Sequence, residues 1–411
     1  MWKRRPTDSM RLLHIVGDSR FGGAGRIILG LGRIAREEGW RVDVLATDPV
    51  FQHAIRQEGL GVVDLDIIRR EIRPWWDLAG LFRLYRFLRR ERYRVVHTHT
   101  SKAGFIGRLS ARLAGVPAIV HTVHGFAFHE RSPKAVRMFY STLERIAAGW
   151  CDRIVSVSRF HRDWAVSLGI CRAERISAIP NGIAAPARTP GVSAAGLRRR
   201  LGVPDAGPLI LSMARLAPDK GLEFLIEAAA MLPASMHAAR ILIAGEGPAR
   251  PRLERVVREL GMAHQVILLG FREDVGDLLA ACDFVALPSL REGLSIALLE
   301  AMAAGKPIVA TSIGSHAELA SQSEIAVLVP PSNARALADA MVRLANDDAL
   351  KTRLGYNARA LYEKHYTEAR MLDSYRELYA GLPGAASEAA DIAARFSLPD
   401  WAARQPKGRG I

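Results

Sequence analysis

The stretch Asp283–Thr311, DFVALPSLREGLSIALLEAMAAGKPIVAT, constrains the fold more than any other part of the chain. The apolar run Phe284 to Leu287 has the length of a buried strand and gives way to a turn carrying Pro288, Arg291, Glu292 and Gly293. Ser295 stands where a helix cap belongs, ahead of the helix-forming run Ile296 to Ala304. Gly305 stops that helix, and Ile308 to Ala310 opens a second buried strand. Strand, loop, helix, strand is the repeating unit of an α/β sheet fold. It carries two carboxylates, Glu292 and Glu300, with seven residues between them.

The unit is suited to a phosphate-bearing ligand. The first N–H groups of a helix have no intrahelical partner, so they form an anion site that a glycine lets a ligand approach closely. Here Gly293, Leu294 and Ser295 supply those groups. Glu292 lies just outside the helix and Glu300 about a turn and a half along it, each placed to accept hydrogen bonds from hydroxyls. A polyol, a diphosphate and a second polyol in a row describe a nucleotide sugar. A lone surface glutamate carries no such meaning, but the pair flanking Gly-Leu-Ser at a strand-to-helix junction does.

The spacing of Glu292 and Glu300, followed by EAMAAGKPIVAT, resembles the retaining glycosyltransferases of family 4. The resemblance spans roughly residues 11 to 380 and implies the α/β GT-B fold: two Rossmann-like domains with parallel sheets facing across a cleft. It also implies that a metal is not required and that no cofactor is needed beyond the nucleotide-sugar substrate.

Composition sharpens the choice of partner. The chain has 411 residues, 49% hydrophobic and 24% charged, enough for two sizeable cores. A net charge of +15 and a pI near 10.3 point to nucleic acid, an anionic membrane surface or a polyphosphate ligand. There is no zinc-finger spacing, no aromatic RNA-binding signature and no basic region with heptads, so nucleic acid is set aside. The cysteines Cys151, Cys171 and Cys282 are odd in number and widely spaced, as in a reducing compartment. The basic N-terminus lacks an apolar stretch before Asp18, and no run reaches the length of a membrane span. A cytoplasmic protein, peripheral on the inner face of the membrane, is the expectation.

Along the chain, residues 11 to 16 read as a buried strand leading to a glycine-rich loop and a helix from about Arg26 to Glu38. The third glycine of a dinucleotide fingerprint is missing, since Ile28 stands in its place. Asp48 nevertheless follows the next strand near the spacing of a ribose-binding acid, which keeps an NAD-dependent oxidoreductase in view. Asp64-x-Asp66 imitates a metal-binding pair but reads as two solvated acids at a strand edge. Residues 69 to 94 combine nine arginines with Trp75, Trp76, Phe82, Tyr85 and Phe87. Such a helix suits the headgroup layer of an anionic membrane, and its apolar positions also serve an ordinary core-facing helix. His97, His99 and His121 sit on or beside strands with no acid cluster and read as hydrogen-bonded polar groups rather than metal ligands. His124-Gly125 is different, because it resembles the family's cleft histidine.

Pro180-Asn181-Gly182-Ile183 matches the family's hinge, and the Ala/Pro-rich stretch after it reads as a linker. The expected divisions are an acceptor domain at 1–185, a nucleotide-sugar domain at 196–365, a returning helix at 366–381, and a disordered tail at 382–411. In the second domain Arg215, Lys220 and Gly221 match R-x4-K-G, placing two cations where a diphosphate leaving group gathers charge. Gly245-Glu246-Gly247-Pro248 matches the loop beneath the nucleotide, and Phe271-Arg272 the segment passing the base.

The resemblance therefore implies transfer of a sugar, with retention, from a nucleoside diphosphate donor expected to be UDP-linked. The acceptor would be lipid-linked or a saccharide in cell-envelope polysaccharide assembly. Arg215, Lys220 and the N–H groups of Gly293, Leu294 and Ser295 would take the diphosphate. Glu300 would hold the ribose and Glu292 the sugar, while His124, Gly22 and Gly23 close the site from the other domain. His124 and Glu292 are the candidate catalytic residues. The rivals are a GT-B nucleotide-sugar epimerase, the NAD-dependent oxidoreductase, and a membrane-bound carbohydrate-binding scaffold without activity.

Overall fold

A computed structural model describes residues 10–17, 21–67, 73–203 and 207–383. The first half alternates strands and helices. Its elements are β1 (Arg11–Gly17), α1 (Gly23–Glu37), β2 (Arg41–Ala46), α2 (Pro49–Gln57), β3 (Gly61–Val63) and α3 (Pro74–Glu91). There follow β4 (Val95–His99), α4 (Ser101–Ala114), β5 (Ala118–Val123), α5 (Lys134–Ala148), β6 (Arg153–Ser156), α6 (Arg159–Ser167) and β7 (Ile176–Ala178).

The second half repeats the plan. It contains α7 (Ala194–Arg200), β8 (Leu209–Met213), α8 (Leu222–Ala230), β9 (Arg240–Ala244), α9 (Arg250–Glu259), β10 (Val266–Gly270) and α10 (Val275–Ala281). Next come β11 (Phe284–Leu287), α11 (Ile296–Ala303), β12 (Ile308–Thr311), α12 (Gly314–Gln322) and β13 (Ala326–Val329). The helices α13 (Ala334–Asn346), α14 (Asp348–His365) and α15 (Glu368–Ala380) follow.

Each half forms one parallel sheet. The first has seven strands in the order β3-β2-β1-β4-β5-β6-β7, the second six in the order β10-β9-β8-β11-β12-β13. Helices cover both faces, so the strands are buried on both sides and read as apolar runs rather than alternating ones. Strand β8, LILSM, is buried throughout. Helix α1 turns Ile27, Ile28, Leu31 and Ile34 into the core, and fully burying each such side chain stabilises by about 1.5–3 kcal/mol.

In both sheets the strand order reverses once, between β1 and β4 and between β8 and β11. Open parallel sheets bind ligands at that crevice, outside the carboxyl ends of the strands. The loops after β8 and β11 hold Arg215, Lys220 and Glu292 to Ser295; those after β1 and β5 hold Gly22 and His124.

Ile183, just after the first sheet, pairs with Thr367 ahead of α15, and its N–H reaches Tyr366 O at 3.1 Å. Helix α15 then lies on the first half, where Met371, Leu372, Tyr375 and Tyr379 join the core beneath α1. Arg33–Glu368 and Arg376–Glu37 pairs, each at 3.1 Å, fasten its flanks.

Two local expectations change. Strand β3 ends at Val63, so Asp64 and Asp66 follow it on exposed backbone instead of sharing a strand edge. Asp48 caps α2, accepting the N–H of Phe51 at 3.0 Å and of Phe21 at 3.1 Å, which occupies the carboxylate the oxidoreductase reading needed. Helix α12 begins at Gly314, where a larger residue would meet the Phe160 ring. Residues 69–72 of the basic aromatic segment and 384–411 of the tail lie outside the described residues.

Candidate active site

The centre of the site is built by two loops that hold one another. After β8 the chain makes a short turn at Pro218–Lys220 and passes through Gly221 at φ +60, a left-handed backbone that favours glycine. A side chain there would also strike the Pro288 carbonyl at the end of β11. Leu290 N–H donates to Asp219 O at 2.9 Å and completes the junction. The two loops therefore bring Lys220 Nζ to 2.7 Å from Glu292 Oε1, and Ser289 Oγ donates to the same oxygen at 2.9 Å. A charge-assisted bond and a hydroxyl orient that carboxylate and leave its second oxygen for a ligand. Arg215 stands at the rim, 3.5 Å from Asp219 Oδ1 and more exposed than Lys220.

Beyond Glu292, Ser295 caps α11 by accepting the N–H of Leu298 at 3.3 Å. Gly293 is required by the opposite half, since any side chain there would strike the His124 carbonyl. The helix tip and the first domain are thus in direct contact. Other ties cross near it: Arg291 Nη1 to Ala127 O at 3.4 Å, Asn181 Nδ2 to Leu294 O at 3.4 Å, and Glu318 accepting the N–H groups of Arg159 and Phe160 at 3.0 and 2.8 Å.

Glu300 lies deeper along α11. Burial pushes its carboxyl above the ordinary value, and the Arg26 guanidinium, 3.3 Å away across the cleft, acts in the opposite direction. Both residues line a cavity of about 260 Å³ between the halves, together with Gly23, Ile296, Glu273 and Gly276. A side chain at Gly23 would reach within 2.6 Å of Ile296 Cγ1, so the glycine lets α1 approach α11 closely. Gly22 has open space instead.

The remaining predicted residues divide. His124 is half-buried, its Nε2 3.1 Å from His99 Nδ1, and burial lowers its pKa to about 4. Gly247 lies under the Arg215 loop, so close to the Leu216 carbonyl that a side chain could not be accommodated. Arg272 forks onto Asp274 at 2.8 and 2.5 Å, and Phe271 is 64% exposed; both precede the cavity wall without lining it. Lys220, Glu292, Gly293, Leu294 and Ser295 gather at one point and Glu300 with Gly23 at the adjoining cavity. Arg215 stands apart at the rim. Arg26 and Ser289 were not singled out from sequence. The first follows the glycine loop, which is a usable signal, whereas Ser289 has none.

The histidines expected to be separately satisfied are all hydrogen-bonded, but they are gathered together. Among the described residues, His14, His97 and His99 are the one group of three candidate ligands whose donor atoms lie within 4.8 Å of one another. Both nitrogens of His97 are engaged by hydroxyls, Tyr379 at 2.7 Å and Thr122 at 2.8 Å.

Two family descriptions match the chain in tandem: "Glycosyltransferase Family 4" over residues 21–185 and "Glycosyl transferases group 1" over residues 195–361. An Escherichia coli protein described as UDP-Gal:alpha-D-GlcNAc-diphosphoundecaprenol alpha-1,3-galactosyltransferase is 31% identical over 311 residues, covering 74% of this chain and 79% of its own. The chain is a family 4 glycosyltransferase. An alpha-D-kanosaminyltransferase of Streptomyces kanamyceticus is 30% identical to this glycosyltransferase over 318 residues, covering 74% of this chain and 81% of its own. The GT-B architecture is shared with an Anabaena protein, HepE, crystallised with UDP and glucose (TM-score 0.77, 23% identity, 91% of this chain and 100% of that one). It is also shared with WaaG, a glycosyltransferase of lipopolysaccharide biosynthesis (TM-score 0.72, 18% identity, 90% of this chain and 100% of that one).

Proposed function

We propose that this glycosyltransferase moves a sugar from a UDP-linked donor, with retention, to a lipid-linked or saccharide acceptor of cell-envelope polysaccharide assembly. The observation that carries the reading is the Lys220–Glu292 pair at 2.7 Å beside the free N–H groups at the tip of α11. As the glycosidic bond breaks, negative charge grows on the departing diphosphate. Lys220, Arg215 and the N–H groups of Gly293 to Ser295 stabilise it where it forms. Glu292 holds the sugar hydroxyls, Glu300 the ribose, and His124 meets the sugar or its phosphate from the other half. The acceptor attacks from the face that the diphosphate leaves, so no covalent enzyme nucleophile is needed. The cations and the helix tip take the part a metal would otherwise play. Screening UDP-sugars against candidate acceptors, with EDTA present and absent, tests this. Turnover of a UDP-sugar unaffected by EDTA supports it, and turnover only with a nicotinamide cofactor overturns it.

A membrane-held acceptor is favoured by the surface of the first half. Helix α3 buries only Gly80, Leu84 and Leu88 and exposes Trp75, Leu78 and Phe82 among arginines. Val136, Met138 and Phe139 are exposed on α5. The sheet is parallel, so both helices begin at the strands' carboxyl edge, the edge that faces the cleft. Apolar side chains with basic neighbours at that mouth suit an anionic bilayer. Co-sedimentation with anionic vesicles, weakened by salt and by Trp75→Ala/Trp76→Ala, is the expected result. Binding unaffected by either overturns the membrane part and leaves the donor chemistry standing.

A further inference from the structure

Behind His124 lies a row of imidazoles that the reaction as described does not use. Because β1, β4 and β5 are neighbours, His14, His99 and His124 come side by side. His14 Nδ1 is 3.0 Å from His99 Nε2, and His99 Nδ1 is 3.1 Å from His124 Nε2. The ring centres are 5.3 Å apart in both steps and the planes are tilted by 29° and 30°, an end-to-end arrangement. Burial keeps the row uncharged, with His14 lowered to about 3, His124 to about 4 and His99 well below its ordinary value.

A neutral imidazole has one N–H and one lone pair, so both hydrogen bonds must run in the same direction. In one direction His14 Nδ1–H donates to His99 Nε2, and His99 Nδ1–H donates to His124 Nε2. His124 then carries its proton on Nδ1, and His14 Nε2 ends the row as a bare lone pair. In the other direction every proton sits on the opposite nitrogen, and His14 ends the row with an Nε2–H. That atom is buried and has no partner among the described residues. Folded proteins leave a buried N–H without an acceptor more rarely than they leave a buried acceptor without a donor.

We infer that the row runs in the first direction, so that His14 and His99 are positioning residues that make His124 a hydrogen-bond donor, through Nδ1–H, to an oxygen of the nucleotide sugar. This deepens the proposed donor reading and rests on it for the identity of the oxygen. It also separates the row from His97, whose nitrogens are held by Tyr379 and Thr122.

The tautomers can be read on the free full-length protein labelled with 15N-histidine, using long-range proton–nitrogen correlation, with His124→Asn to assign the signal. The expected result is His124 protonated on Nδ1 in the wild type. The same tautomer should appear in His14→Asn, whose amide N–H replaces the Nδ1–H donor. His14→Leu should give a mixture of tautomers and raise KM for the UDP-sugar about three- to tenfold, with kcat moving less and the loss restored in His14→Asn. His124 protonated on Nε2 in the wild type overturns the inference, even if His14→Leu cannot be folded for comparison. An unchanged tautomer in a folded His14→Leu overturns it too, as does one equivalent of divalent metal that His14→Asn removes. The spectra need no donor, so a protein that binds no UDP-sugar defeats the donor reading and leaves the tautomer result to be judged alone.

Discussion

The two halves share a strand order and differ in what they bury at the point where that order reverses. In the second half, β8 and β11 read LILSM and FVAL, and the charged groups are confined to the loops above them. In the first half, β4 reads VVHTH, and its histidines and threonine are as completely buried as the valines. The fold tolerates either, provided each buried polar group finds a partner. A charged loop is placed to meet a ligand, whereas an imidazole kept neutral by burial gains charge only in acid.

The largest effect expected from breaking this contrast is at the charged pair. Lys220→Ala should lower kcat about 10²- to 10³-fold, as removing one preorganised donor to a developing charge does. The protein should remain folded, because the loop junction also rests on Gly221 and on Leu290 N–H to Asp219 O. A steady-state assay beside a thermal melt separates the two effects.

Acid should distinguish the halves next. His14, His97, His99, His121 and His124 all have folded pKa values below 6.5, so the unfolded chain binds more protons as pH falls below that value. Their contribution is intact above pH about 6.5 and is lost towards pH about 4, by roughly 1.4 kcal/mol per pH unit for each group that stays neutral. Pulse proteolysis over that window should show the first half opening before the second. Simultaneous opening would mean that α15 and the hinge make the halves one cooperative unit.

A smaller effect is expected at Gly293→Ala, which pushes the helix tip from the His124 carbonyl and should raise donor KM several-fold, about 1 kcal/mol. Smallest is the pairing across the cavity. Protonated Glu300 accepts poorly from a ribose, and its pKa is already raised by burial, so donor affinity should weaken above the ordinary carboxylate range as pH falls. Arg26→Met removes the opposing influence and should move that acid limb to higher pH. Glu300→Gln should abolish the limb, and pH profiles of kcat/KM check both.

Much of the second half was legible because its signals are local. The cap at Ser295, the glycines at 221 and 293 and the two glutamates all act within one loop or one helix. The histidine row was not legible, since it depends on β4 lying between β1 and β5, and periodicity along a strand says nothing of its neighbour. Arg26–Glu300 spans both halves, so although Arg26 follows the glycine loop, nothing local names its partner. Asp48 misled for the converse reason: its spacing suggested a ribose, but it caps the helix that starts at the next residue and accepts the N–H three positions on.

Helix α15 comes last among the described elements, yet its Tyr375 and Tyr379 hydroxyls complete the bonding of Thr122 and His97 inside the first sheet. On the ribosome, synthesis runs from the N-terminus, so the first half emerges long before the segment that seals it. Nascent chains halted before Tyr366 should therefore expose the underside of α1 to chaperones and proteases, and maturation of that half should wait until α15 has emerged.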